Sequence, residues 1–259
     1  MEEKEVFIAF LDILGFKDLV NNNTHSDLTR KINNLLIPTV ESALTHGNSI
    51  TVEREGKQVR IADIKEIKIN SLSISDSVMF WTNDRSLESF IQITTTVRQI
   101  LNNTFYMGLP MRGGISFGHL TFQNYSYGQN TDNHHTLLMG KGLVDTYMLE
   151  SRQDWCGCVI EEKCINKIIE VSPKMATNAN WFLSENVIIK YKTPYKSGKI
   201  IDEYVINWAG VATELNEASV RDSFAQHKKN CTDWTVEHKI QNTIKFVEYC
   251  AKFEIKPNI

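Results

Sequence analysis

Val6-Phe7-Ile8-Ala9-Phe10-Leu11-Asp12-Ile13-Leu14-Gly15-Phe16 reads as an apolar strand that ends on one aspartate and turns through a glycine. An acid buried at such a strand end is costly unless a cation meets it. Ser71-Leu72-Ser73-Ile74-Ser75-Asp76-Ser77-Val78-Met79-Phe80-Trp81 has the same character and carries Asp76 between two strand-like runs. If the two strands pair, two carboxylates converge at one end of a sheet, and hard divalent cations are the usual reason for such convergence. Taken singly, either aspartate is more often a turn or cap residue. Matching context at both positions reverses that. Asp18 and Asp84 lack the context and read as helix starts.

Outward from these two segments the chain alternates elements. Asp27 to Thr45 has helical periodicity through Leu28, Ile32, Leu35, Leu36 and Val40, with Pro38 predicting a bend or break. Ile50 to Trp81 reads as several short strands with a turn at Glu55-Gly56-Lys57, and Arg85 to Phe105 as a helix. A strand at Met111 to Phe117, a polar loop at Gln123 to His135, a strand near Leu137 to Met139 and a helix into Ser151 follow. This β-α-β-β-α-β succession with an antiparallel hairpin predicts an α+β, ferredoxin-like or palm-type sheet. In the last third, strands at Asn186 to Tyr191 and Ile200 to Trp208 flank a turn, and helices are expected at Val211 to Lys228 and Trp234 to Phe253. No repeat or low-complexity linker marks a second independent domain, so residues 176–259 read as an α/β extension packed on the core of residues 1–175.

The 259 residues are 42% hydrophobic, enough to bury a large core. A net charge of -3 gives no global field for nucleic acid. Met1-Glu2-Glu3-Lys4-Glu5 is charged where a signal peptide needs an apolar core, and no run approaches a membrane span, so a cytoplasmic protein is expected. Cys156 and Cys158 read as small hydrophobes on one face of a strand; with Cys164, Cys231 and Cys250 they form an odd set without zinc-site spacing, which implies structural thiols in a reducing compartment.

Phe10-Leu11-Asp12-Ile13-Leu14-Gly15-Phe16-Lys17-Asp18-Leu19 and Ser73-Ile74-Ser75-Asp76-Ser77-Val78-Met79-Phe80-Trp81 resemble the two metal-binding segments of class III nucleotide cyclases. Met111-Arg112-Gly113-Gly114-Ile115-Ser116-Phe117-Gly118 and Gly140-Lys141-Gly142-Leu143-Val144-Asp145-Thr146-Tyr147-Met148-Leu149-Glu150 fall in the order of that family's Arg-x-Gly-Ile strand and its following helix. The resemblance covers the first two thirds of the chain. It implies a cyclase-type sheet, two divalent ions, Mg2+ or Mn2+, shared by Asp12 and Asp76, and the Ile13 carbonyl as a further ligand. It also implies a triphosphate cradled by the turn at Leu14, Gly15 and Phe16, Arg112 on phosphate or base, and a homodimer with its sites between the chains. Arg112 as a solvent-facing strand-edge residue is the equal alternative. Lys17 and Lys141 read as solvated charges, and His134-His135 as loop histidines without acidic neighbours.

Departures from the family narrow the expectation. Leu137 and Leu72 stand where purine cyclases carry base-selecting polar groups, and Val144 and Met148 stand where the transition-state Asn and Arg sit; a one-residue shift gives Asp145 and Leu149. These departures, with the Leu-Asp-Ile-Leu-Gly-Phe start, are similar to the bacterial pyrimidine cyclases of Pycsar anti-phage systems. That similarity implies conversion of UTP, or of CTP, to a cyclic monophosphate that acts on a separate effector. Two rivals remain: a catalytically silent nucleotide-binding dimer, and a palm-type polymerase or dinucleotide cyclase, for which the Gly-Gly-Asp/Glu-Glu-Phe motif and a basic groove are missing.

Overall fold

A computed structural model describes residues 2–54, 56–63, 65, 67–126, 134–173, 186–211 and 215–253. The strand that opens the chain, β1 (Glu2–Ile13), alternates its side chains across a sheet. Phe7, Ala9, Leu11 and Ile13 enter the main core, whereas Val6 and Ile8 join a smaller cluster on the opposite face. β1 is central in the sheet because both edges are paired, antiparallel, with β5 (Ser77–Thr82) and β6 (Met111–Ser126).

The full order is β4-β5-β1-β6-β8-β10-β9, with β4 at Ile69–Ile74, β8 at Gly157–Ile160, β9 at Ile188–Pro194 and β10 at Ile200–Ile206. β7 (His134–Met139) pairs with the far half of β6, and β6 and β8 run parallel. The last-third strands thus extend the same sheet, Val205 lying opposite Val159. A separate hairpin, β2 (Ser49–Arg54) with β3 (Lys57–Ala62), turns through Gly56 at φ 74°. The expected helix from Asp27 to Thr45 is two helices, α2 (His25–Lys31) and α3 (Ile37–Leu44), joined by a π-helical turn at Ile32–Leu36. Pro38 stands near the start of α3 in a run that is helical on both sides of it, and the chain continues across it with a change of pitch and not a break.

The main core lies between the sheet and α4 (Leu87–Tyr106), α6 (Glu162–Val171) and α8 (Trp234–Cys250). α4 is capped by Ser86, whose hydroxyl accepts from the Ser89 amide at 3.2 Å, and Phe90 meets the Phe7 ring at 5.0 Å. α8 sets Phe246 edge-on against Trp155 at 4.5 Å, and its Thr243 hydroxyl accepts from the Cys156 amide at 2.9 Å. All five cysteines are free, and burial pushes the Cys156, Cys158 and Cys164 thiols up, away from reactivity. The short α7 (Glu217–Ala225) leads into a loop that reaches back to α1 (Phe16–Asn21) and the residues after it. There the Asn22 and Asn23 amides donate to the Lys228 and His227 carbonyls at 2.8 Å each.

On the opposite face α5 (Lys141–Ser151) crosses β6. Missing side chains make that crossing close. A Cβ on Gly114 would stand 3.1 Å from the Thr146 carbonyl oxygen and 3.2 Å from the Glu150 nitrogen, and one on Gly118 would stand 3.0 Å from Gly142. Ser116 and Thr146 exchange a buried hydrogen bond across the contact. Gly114→Val should therefore lift α5 and cost about 2–3 kcal/mol in urea denaturation; an unchanged midpoint would refute the close approach.

Candidate active site

Register brings the two sequence-singled aspartates together. Asp12 lies opposite Ser77 on one side and Arg112 on the other. Asp76 immediately precedes Ser77 at the tip of the β4–β5 hairpin, and its carbonyl accepts the Ile13 amide at 3.1 Å, which ties the hairpin tip to the end of β1. Ser75, before Asp76, holds φ 57°, a conformation that glycine adopts freely and serine at a cost of about 1–2 kcal/mol. The Ser77 hydroxyl donates to Asp12 Oδ1 at 3.1 Å. Both Asp12 and Asp76 remain half-buried, open enough for a ligand.

Arg112 is neither at a sheet edge nor on solvent, because β6 has β1 and β8 on its two sides, and the residue is only 7% exposed. This overturns the strand-edge reading. Its Nε donates to Glu150 Oε1 at 2.5 Å and its Nη1 to the Gln153 carbonyl at 3.0 Å, while Nη2 stands 3.9 Å from Asp12 Oδ2. Glu150, 2% exposed, comes from the last turn of α5. Gln153 pins that end by donating from Nε2 to the Gly113 carbonyl at 2.7 Å and the Leu149 carbonyl at 2.8 Å. Lys196, in the β9–β10 turn, faces the same group; burial and the Arg112 charge hold its ammonium below the ordinary lysine range. Glu150 lay inside a quoted motif, but nothing local in the sequence paired it with Arg112. Lys196 had no sequence signal at all.

The electrostatics are dominated by carboxylates. Burial, then the charges of Glu150 and Asp76, push Asp12 up to about 6, against the opposing pull of Arg112 and the Ser77 hydroxyl. Glu150 is raised by burial and drawn back by Arg112. Among the described residues no three His, Cys, Asp or Glu side chains form a complete cage for a metal. Two half-buried carboxylates beside unneutralised negative charge nevertheless suit a hard divalent cation that takes its other ligands from phosphate and water.

The turn after Asp12 differs from expectation at one residue. Leu14 is buried in the core and its amide donates to the Pro110 carbonyl at 2.9 Å, so it offers a phosphate neither side chain nor N–H. Gly15 starts α1 at φ 79° with the Lys229 stem beneath it, and Phe16 packs its ring partly into the core. α1 is six residues long, too short for a substantial macrodipole. Leu72 lies on the face that carries Asp12 and packs against the cluster of Val6, Ile8, Trp81 and Leu120, as Leu138 and Leu143 do. Val144 and Met148 are 59% and 50% exposed on α5, whereas Leu149 is buried and Asp145 is bound by Lys141 and Lys163 at 2.8 Å each. Lys17 is exposed. The side chains of His134 and His135 lie outside the described residues. A cavity of about 600 Å³ lies on the flank of α5 toward β10, lined by Arg152, Lys163, Lys190 and Tyr204 among others and by neither aspartate.

No protein-family model matches the chain, and no curated protein does. Solved structures do. The guanylate cyclase domain of RhGC from Catenaria anguillulae in complex with GTP superposes with a TM-score of 0.50 at 13% identity, over 80% of this chain and 98% of that one. The non-canonical dimeric guanylyl cyclase domain of the RhoGC fusion protein from Blastocladiella emersonii gives 0.50 at 16% identity, again over 80% and 98%. The catalytic core of a rhodopsin-guanylyl cyclase with converted specificity, in complex with ATPαS, gives 0.50 at 13%, over 79% and 96%. At these identities the likeness is one of fold: a mixed α+β domain with a central, mostly antiparallel sheet and flanking helices, as in class III nucleotide cyclase catalytic domains.

Proposed function

We propose that this chain is a nucleotide cyclase that turns UTP into 3′,5′-cyclic UMP and pyrophosphate, with CTP to cyclic CMP as the alternative. The observation that carries the reading is the convergence of Asp12 and Asp76 at one sheet end, where burial first, and then the neighbouring Glu150 and Asp76 charges, raise the Asp12 carboxyl to about 6. In the reaction the ribose 3′ oxygen attacks the α-phosphorus, the bond to the bridging oxygen of the pyrophosphate breaks in line, and the hydroxyl proton passes to solvent. Bound Mg2+ or Mn2+ supplies acidification of that hydroxyl and neutralisation of the leaving oxygens. Asp12 and Asp76 would hold the ions with the Ile13 carbonyl, Gly15 and Phe16 would line the triphosphate's approach, and Arg112 presents Nη2 beside Asp12.

Base choice rests on what the pocket side lacks. Leu72 brings no polar group to read a purine edge, and Leu137, expected at the second base-selecting position, lies on the opposite face of the sheet, where the register puts the equally apolar Leu138 on the Asp12 face instead, which favours a pyrimidine. The preference for UTP rests on the resemblance to the pyrimidine cyclases, among which uridylate cyclases are the commoner members. Ile74, Val144, Tyr147 and Met148, on the side of the sheet that carries Asp12, are all at least 50% exposed, and these apolar groups suit a second copy of the chain, with the sites at the interface. Among the described residues no helix is long and apolar enough to cross a membrane. The proposed role is cytoplasmic: a cyclic nucleotide released on infection to act on a separate effector, without nucleic acid as partner. Exposed, apolar Val144 and Met148 favour one second reading, a silent dimer that binds nucleotide without turning it over.

Incubation with ATP, GTP, CTP and UTP and manganese, with products identified by mass spectrometry, tests the proposal. A single cyclic pyrimidine monophosphate is expected; a cyclic purine product overturns the base reading, and no turnover by a folded dimer favours the silent one. Asp12→Ala and Asp76→Ala should each abolish turnover while leaving the far-ultraviolet circular dichroism unchanged, and substantial residual activity in either removes the metal assignment.

The raised Asp12 carboxyl also makes a stability prediction. The folded state holds its proton more tightly than the unfolded chain, so metal-free stability should fall as pH rises through about 4 to 6. With the side chain 25% exposed, the penalty at neutral pH is on the order of 2 kcal/mol. Asp12→Asn should raise the metal-free Tm at pH 7.5 by about 3–6 °C and abolish the further rise that manganese gives the parent protein. A Tm lowered by the substitution would contradict the charge assignment.

A further inference from the structure

The guanidinium of Arg112 has two carboxylates within reach and is committed to one. Glu150 takes Nε and Nη2 at 2.5 Å each, and the Gln153 carbonyl takes Nη1 at 3.0 Å, while Asp12 is left at 3.9 Å from Nη2. Arg112 and Asp12 are opposite one another on adjacent strands and stand at the outer edge of ion-pair distance, beyond hydrogen-bond reach, while the guanidinium is held by Glu150 and the Gln153 carbonyl. The hold is built: α5 is seated on Gly114, and Gln153 fastens its end to β6 and accepts the Trp155 indole N–H at 2.9 Å. An arginine paired to Asp12 would compete with a cation for the same oxygen.

We propose that Glu150 is a positioning residue that keeps Arg112 off Asp12, and so keeps the Asp12 carboxylate free to bind a divalent ion. The proposal rests on the metal reading of Asp12 and Asp76. A buried ion pair adds little net stability, so the reason for this one lies in the geometry it imposes on Arg112. Glu150 does not touch the ion; it acts through the arginine.

The test is the affinity for Mn2+ alone, measured by electron paramagnetic resonance of the free ion at pH 7.5, with Asp12→Asn as the control for the site. Glu150→Gln should release Arg112 onto Asp12 and weaken Mn2+ binding at least about tenfold, on the scale of a charged hydrogen bond gained by the competitor. Glu150→Asp keeps the charge but shortens the reach by one methylene, and it should weaken binding as well. If Glu150→Asp binds as the parent does while Glu150→Gln is weak, Glu150 acts only through its field and the proposal is wrong. The double variant Arg112→Met/Glu150→Met replaces the pair by apolar side chains of similar volume, a change that buried pairs commonly tolerate. With the competitor gone it should bind Mn2+ within about threefold of the parent, and it carries the test if the single variants do not fold. A double variant as weak as Glu150→Gln overturns the proposal. Parent protein whose Mn2+ binding is indifferent to Asp12→Asn overturns the metal reading itself, whereas parent-like affinity in both single variants overturns only the role of Glu150.

Discussion

Two carboxylates, Asp12 and Glu150, face one guanidinium at the end of the central strands, the charge of Asp76 acts on both acids, and much of the surrounding structure serves to hold the group there. Folding alone gives no reason for such an excess of negative charge. Burial drives Asp12 and Glu150 toward their neutral forms, and a protein selected only for stability would replace the group with apolar side chains. The β1–β5 and β1–β6 registers, the hairpin tip tied to Ile13, and the glycines under α5 each fix one member of the cluster. On the proposed reading, a divalent cation bound to a nucleotide would turn this cost into binding energy.

The strands of the last third join the sheet that carries Asp12. β9 and β10 continue the sheet, their turn brings Lys196 toward Arg112 and Glu150, and α8 packs Phe246 on Trp155 behind β8. The loop between α7 and α8 grips the residues that follow α1 through Asn22 and Asn23, and it lays the Lys229 stem under Gly15. His227 and Lys228 take left-handed φ values of 64° and 65° in making those contacts, strain that the packed surroundings must offset.

Period and punctuation made much of this legible. The apolar run ending on Asp12, the second run around Asp76 and the turn at Gly56 predicted the elements that are found, and the α+β sheet followed from their order. What escaped were relations between distant residues. Nothing near Arg112 announces Glu150, 38 positions away, because an α5 residue meets a β6 residue only through the tertiary crossing at Gly114. The sequence leaves a strand-edge Arg112 open because it does not show which strand, here β8, pairs with the other side of β6. Leu14 was grouped with the phosphate turn because a sequence does not show which carbonyl an amide will find; here it finds Pro110. Pro38 suggested a break, and a π-helical turn absorbed it.

The central claim is that Asp12 and Asp76 together bind divalent ions on a nucleoside triphosphate. Anomalous diffraction at the manganese edge from crystals soaked with Mn2+ and a non-cyclisable UTP analogue tests it most directly. The account predicts two manganese peaks bridged by the carboxylates of Asp12 and Asp76, with the triphosphate against them and Arg112 still held by Glu150. Manganese bound elsewhere, or triphosphate density at a site that touches neither aspartate, would contradict it.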